Sequence, residues 1–216
     1  MRQELPGHQH VIAANEGNAV AIAAGHYFKS GTLPLVYMQN SGLGNTVNPL
    51  ASLTDRHVFS VPLVLLIGWR GEPGTGDWAQ HVTQGRITTG LLDLLDIPYV
   101  IAEDDADQLE KDLAPLLEWA RSERRPVAII GRKGVFSSSE KENIVDDLYP
   151  MSREEAIEIL LDQLPEDTIY AATTGRATRE LYFLRDSRGE SHAFDFLNVG
   201  AMGHTSSVAG AVPGSA

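Results

Sequence analysis

Four short stretches of this chain hold side chains able to do chemistry. Glu16 lies in Asn15-Glu16-Gly17-Asn18, where the apolar run His10-Val11-Ile12-Ala13-Ala14 meets a helix-like segment. A carboxyl group there can exchange a proton with a bound molecule. Taken alone, Glu16 reads rather as an ordinary first-turn acid, complementing the helix dipole behind an Asn15 N-cap. Gln39-Asn40-Ser41 closes a strand-like run and leads into Gly42-Leu43-Gly44. Arg70, in Gly68-Trp69-Arg70-Gly71-Glu72-Pro73-Gly74, follows the most apolar run of the chain. Its guanidinium could grip a carboxylate, sulfonate or phosphonate in bidentate fashion; the plainer reading is a loop arginine paired with Glu72. His81 could move a proton or bind an anion when charged, although a surface histidine beside a helix start is the commoner case.

Other candidates fall away on spacing. Gly42-Leu43-Gly44 lacks the third glycine of a dinucleotide fingerprint, and no Lys-Ser/Thr pair follows it as in a P-loop. The seven histidines form no HxxxH or HxxE pair, so a histidine-based metal site has no support. Asp104-Asp105 and Asp146-Asp147 read as solvated helix caps or linker acids.

The elements that must position these residues alternate. Residues 9–14 read as a short buried strand, residues 15–30 as a helix ending at Ser30-Gly31, and residues 33–38 as a second strand. A Gly-rich turn and a helix to about Leu53 follow. Residues 62–68 form a continuous apolar run, as in a strand buried on both faces of a parallel sheet. The polar Gly/Pro-rich loop over residues 69–81 exceeds a simple βα turn and so marks a functional candidate. Beyond it come a helix near 85–96, a strand at 98–102, an exposed acidic helix at 105–122 and a strand at 126–131. Such alternation indicates an α/β fold with right-handed crossovers. Residues 132–151, with Ser137-Ser138-Ser139, read as a linker. The pattern then restarts with helix 152–163, strand 168–172, helix 176–185 and strand 193–199, before a structureless tail at 209–216.

Composition narrows the function classes. The 216 residues carry a net charge of -12, which argues against a nucleic-acid surface. An anionic substrate would need local cations against that field. There is no cysteine, so thiolate chemistry is excluded. No apolar run reaches membrane-spanning length and the N-terminus lacks a signal-peptide core, which makes a cytoplasmic location the default.

Taken together and in order, Asn15-Glu16-Gly17-Asn18-Ala19-Val20-Ala21, Tyr37-Met38-Gln39-Asn40-Ser41-Gly42-Leu43-Gly44-Asn45, Gly68-Trp69-Arg70-Gly71-Glu72-Pro73-Gly74 and Gln80-His81 resemble the phosphonopyruvate decarboxylase family. These are thiamine-diphosphate-dependent 2-oxo acid decarboxylases related to the sulfopyruvate decarboxylases. Thr173-Thr174-Gly175-Arg176 and Val199-Gly200-Ala201-Met202-Gly203-His204 match that family too, where they open its diphosphate-binding half. The resemblance runs from about residue 9 to about residue 210.

The resemblance implies an α/β, parallel-sheet thiamine-diphosphate-binding fold. Residues 1–131 would be the pyrimidine-binding domain lacking its first βα unit (about 30 residues), 132–151 a linker, and 152–216 an incomplete diphosphate-binding domain. Glu16 would bond the cofactor's aminopyrimidine ring, sharing a proton so that the cofactor's reactive carbon can lose its own. Gln39, Asn40 and Ser41 would line the same pocket, Gly200 would let the backbone approach the ring, and Met202 would prop the bent cofactor. Asn40, Arg70 and His81 would meet the substrate's anionic head, His81 being also a catalytic candidate. The implied cofactors are thiamine diphosphate and Mg²⁺, but the Gly-Asp-Gly…Asn segment that holds the metal is absent from these 216 residues, so no metal ligand is assigned. The implied reaction converts phosphonopyruvate to phosphonoacetaldehyde and CO₂ in phosphonate biosynthesis. Sulfopyruvate decarboxylation, a carboligating synthase, and a non-catalytic fragment or subunit needing a partner stay open as alternatives. The expected partners are a small anionic 2-oxo acid, a second copy in a homodimer or higher oligomer, and a complementary subunit; nucleic acid and membrane are not expected.

Overall fold

The computed structural model describes residues 10–136 and 149–211, so Ser137-Ser138-Ser139 and Asp146-Asp147 lie outside the described residues. The chain divides into two compact units, Met1–Ser138 and Ser139–Ala216.

The first unit opens on a departure from the expected strand. Residues 10–14 are irregular, with Val11 and Ile12 exposed at 61% and 70%. An apolar pair becomes a strand only where a neighbour takes its backbone hydrogen bonds, and no described strand pairs with this one. Helix α1 (Glu16–Ser30) then starts where Asn15 Oδ1 accepts from Asn18 N at 2.8 Å and stops at Gly31, whose φ of 68° provides the left-handed cap. Strand β1 (Leu35–Gln39) follows. The expected Gly-rich turn is instead a 3-10 helix, Asn40–Thr46, that continues into α2 (Val47–Leu53). It coils because Leu43 is fully buried and Thr46 Oγ1 donates to Leu43 O at 2.7 Å, which tightens the last turn.

Strand β2 (Val64–Gly68) is followed by α3 (Ala79–Leu94), β3 (Tyr99–Ala102), α4 (Ala106–Glu123) and β4 (Val127–Gly131). The four strands are all parallel in the order β1-β2-β4-β3. Alternate residues of β2 and β4 face opposite ways, as strand geometry requires. Leu65, Ile67, Ala128 and Ile130 join Val20, Met38, Leu43 and Leu92 in one core layer, while Val64, Val127 and Ile129 pack with Leu113 and Leu117 of α4 in the other. The both-face burial expected of residues 62–68 is therefore present, whereas β1 is covered on one side only, leaving Tyr37 exposed. Register places Gln39, Gly68, Gly131 and Ala102 in one row at the carboxyl ends of the strands. That row is the edge at which open α/β sheets bind ligands.

In the second unit, α5 (Arg153–Gln163) begins with a reciprocal capping box between Ser152 and Glu155. A two-stranded parallel sheet of β5 (Tyr170–Ala172) and β6 (Asp195–Leu197) packs with α6 (Arg176–Arg188) and α7 (Thr205–Ala211). Residues 209–211, expected to be structureless, belong to α7; residues 212–216 lie outside the described residues. Three hydroxyl residues followed by small ones (Thr205-Ser206-Ser207-Val208-Ala209-Gly210-Ala211) hide that helix from a periodicity search. No helix among the described residues is long and apolar enough to cross a membrane.

Candidate active site

Glu16, the first residue of α1, is half-buried at the start of that helix. Its Oε2 accepts from Asn45 Nδ2 at 2.9 Å, while Oε1 accepts from no described residue. The carboxylate lies over Gly42, where an added Cβ would stand 2.3 Å from Glu16 Cγ and Cδ. In geometry Glu16 is a first-turn acid behind an asparagine cap, with its carboxyl held at a defined place and one oxygen open.

Gln39 ends β1 and donates from Nε2 to Ser41 Oγ. Asn40, 1% exposed, is committed inward. Its Oδ1 accepts from Arg70 N at 3.0 Å, and its Nδ2 donates to Arg70 O at 2.8 Å and to Thr88 Oγ1 at 2.9 Å. The amide thereby grips both backbone groups of Arg70 as a neighbouring strand would, and pins the loop after β2 to the end of β1.

The side chain of Arg70 is not paired with Glu72, as the plainer sequence reading had it. Its Nε and Nη2 donate to Asp77 at 2.8 and 2.6 Å, forming a bidentate clamp across the loop. Glu72 instead pairs with Arg132 Nε at 2.9 Å, and Arg132 Nη1 reaches Glu103 at 3.0 Å. The cause is geometric: Gly71 turns back at φ 66°, and Asp77 then accepts from Gly71 N and Trp78 N at 2.8 Å each. Arg70 holds the Asp77 carboxyl well below the usual carboxylate range, with the two backbone N–H groups assisting and burial opposing. A cavity of about 740 Å³ lies over this loop, bordered by Trp69, Arg70, Glu72, Trp78 and Lys133 among others.

Asp77 also explains why α3 begins at Ala79 rather than near residue 85. By capping the loop it lets the chain turn directly into the helix, and glycines at 85 and 90 hide the helical periodicity from sequence. His81 consequently sits in the first turn of α3 instead of in the loop. Its Nδ1 is buried and lacks a hydrogen-bond partner among the described residues. Burial first, and then the Arg70 charge, lower its pKa from the ordinary histidine value, with Asp77 opposing. A neutral imidazole at pH 7 is the form able to accept a proton.

The structure therefore gathers Gln39, Asn40, Ser41, Arg70 and His81 around the carboxyl edge of the first unit's sheet, with Glu16 against the 3-10 helix that leaves the same edge. Gly200 and Met202 belong to the second unit. There Gly200 N donates to Asn198 Oδ1 at 3.0 Å, and the buried Asn198 donates to Thr205 Oγ1 at 2.7 Å. The loop turns through Ala201 at φ 46° and Gly203 at φ 84° and leaves Met202 half-buried, with His204 Nδ1 3.0 Å from Met202 O. Gly175, at φ 112°, carries the chain from β5 into α6. Sequence reasoning missed Asn45 and Asp77. Each acts across a gap of 7 or 29 residues, which no periodic pattern reveals.

Comparison with known proteins bears on this arrangement. A family model described as thiamine pyrophosphate enzyme, N-terminal TPP binding domain, matches residues 2–92. The chain is 35% identical over 218 residues to a phosphonopyruvate decarboxylase of Streptomyces viridochromogenes, covering 94% of this chain and 53% of that protein. It is 33% identical over 219 residues to a phosphonopyruvate decarboxylase of Streptomyces hygroscopicus, covering 93% and 52%. With the sulfopyruvate decarboxylase subunit alpha of Methanothermobacter thermautotrophicus it shares 33% over 125 residues, 58% of this chain and 73% of that subunit. The chain thus spans about half the length of the Streptomyces relatives and most of the shorter subunit. The parallel α/β sheet, the matching TPP binding domain and these relatives agree: the chain belongs to the family of the phosphonopyruvate and sulfopyruvate decarboxylases.

Proposed function

We propose that this chain supplies the pyrimidine-binding side of a thiamine-diphosphate-dependent decarboxylase that converts phosphonopyruvate to phosphonoacetaldehyde and CO₂. The observation that carries the reading is Glu16, a carboxylate fixed by Asn45 with Oε1 left open at the start of α1. That donor set fits the aminopyrimidine end of the cofactor, which needs one carboxyl to share a proton with a ring nitrogen. Once bound, thiamine diphosphate supplies the carbon nucleophile and the electron sink that decarboxylation requires.

In this reading Glu16 holds and returns a proton at its open oxygen. Gln39 and Ser41 border the cofactor pocket at the end of β1. Asn40 acts by fixing the Arg70 backbone. Arg70, oriented by Asp77, presents a guanidinium edge to the substrate's phosphonate, and neutral His81 is placed to accept a proton. In the second unit, read as the start of a diphosphate-binding domain, Gly200 and Met202 are the candidate cofactor contacts. Mg²⁺ is the expected metal. No group of three His, Asp or Glu side chains converges among the described residues, so none is assigned to it here.

Sulfopyruvate is the second reading, favoured by the subunit alpha relative, of which the chain covers 73%. That name also supports a complementary subunit. We further propose a homodimer or larger assembly, a place in phosphonate biosynthesis, and a cytoplasmic location. CO₂ release from phosphonopyruvate and sulfopyruvate, measured with thiamine diphosphate and Mg²⁺, with and without a complementary subunit, tests the proposal. Faster release from phosphonopyruvate supports it, faster release from sulfopyruvate moves the assignment to the second acid, and release from neither refutes both.

A further inference from the structure

We infer that Asn45 is the positioning residue for Glu16, and that Gly42 and Gly17 are small because they build the socket in which the two side chains meet. The inference rests on the reading of Glu16 as the cofactor-facing carboxyl.

Three contacts define the socket. Asn45 Nδ2 donates to Glu16 Oε2 at 2.9 Å and leaves Oε1 without a partner among the described residues. The carboxylate needs the space over Gly42, because a Cβ there would stand 2.4 Å from Oε1. Gly17 brings the backbones together: a Cβ on it would lie 2.8 Å from Asn45 O, so α1 can approach the 3-10 helix this closely only with glycine at that position. Neither Gly17 nor Gly42 has a positive φ, so it is space that calls for glycine at both positions.

A carboxylate at a helix start otherwise samples several rotamers. One charge-assisted hydrogen bond from a fixed amide selects a single one and decides which oxygen remains free. Asparagine suits the task because its amide donates without titrating, so the only proton that moves in the socket is the one on Glu16. Asn45 is itself exposed, so removing its amide should leave the fold intact and alter the carboxyl alone.

Two measurements on the full chain test this. Without cofactor, the Asn45 side-chain amide protons should exchange with water about tenfold more slowly in the parent than in Glu16→Ala, as expected of a hydrogen bond to a charged group. Equal rates overturn the inference. With thiamine diphosphate bound, proton exchange at the cofactor's C2, followed by NMR, should slow about ten- to a hundredfold in Asn45→Ala with the melting temperature unchanged. Gly42→Ala should slow it at least as much by displacing the carboxylate. A parent chain that accelerates exchange together with an Asn45→Ala chain that matches it overturns the positioning role and leaves the function standing. A parent chain that does not accelerate exchange overturns both.

Discussion

Replacing Asp77 by alanine removes four acceptor contacts at once: two from the Arg70 guanidinium, one from Gly71 N and one from Trp78 N. The Asp77 side chain is 13% exposed and that of Arg70 40%, so the two halves of the clamp differ in cost. Arg70 can turn its freed donors to water, which limits the ion pair itself to about 0.5–1 kcal/mol. The Gly71 N–H is held in a tight positive-φ turn, and leaving it unpaired costs about 1–3 kcal/mol. Together these give about 2 kcal/mol for Asp77→Ala, or roughly 8 °C in the melting of a unit of this size. Thermal unfolding followed by Trp69 and Trp78 fluorescence reads it. The loss should also depend on pH. Because the folded state depresses the Asp77 pKa, its contribution is complete above the unfolded value near 3.9 and fades as pH falls towards the folded one. The gap between parent and variant should therefore shrink below about pH 4. A variant that melts within about 2 °C of the parent at pH 7, or a gap that widens in acid, would refute the clamp.

Three further outcomes follow from the same loop. Asn40→Ala should destabilise the chain by about 3 kcal/mol, because it leaves both backbone groups of Arg70 without their partner and takes one donor from Thr88 Oγ1, which keeps its own bond to Gln84 O; urea unfolding checks this. The His81 imidazole should titrate below the ordinary value near 6.5, rising in Arg70→Ala and falling further in Asp77→Asn, as followed by NMR. With that sign, the parent loses stability as pH drops below about 6.5, since the unfolded state then binds the proton more readily. Gly85→Ala would place a Cβ 1.6 Å from Gly71 O, so it should push α3 off the loop and cost about 3 kcal/mol by denaturant titration.

Much of the fold was legible because parallel sheets announce themselves. The runs at 62–68 and 126–131 are too apolar to face water on either side, and β2 and β4 are the buried centre of the sheet. Two caps were equally readable: Asn15 and Asp105 each accept the backbone N–H their positions imply. What failed were local patterns whose outcome depends on distant partners. Val11-Ile12 is a strand only beside another strand, and Asn40–Thr46 coils because Leu43 has a core to fill. In the site, Glu16 and Arg70 were visible as residue types at suggestive places. Their partners were not, since Asn45 and Asp77 meet them only after the chain has folded back on itself. The pairing of Arg70 with Asp77 rather than Glu72 is set by the turn at Gly71, a backbone feature that side-chain spacing cannot express.

In the proposed function Glu16 is the carboxyl that activates a bound thiamine diphosphate. Exchange of the cofactor's C2 proton, measured by NMR with the parent and with Glu16→Gln under the same conditions, tests it most directly. Exchange should be fast with the parent and, with the variant, no faster than for the free cofactor. Equal acceleration by both chains would contradict it.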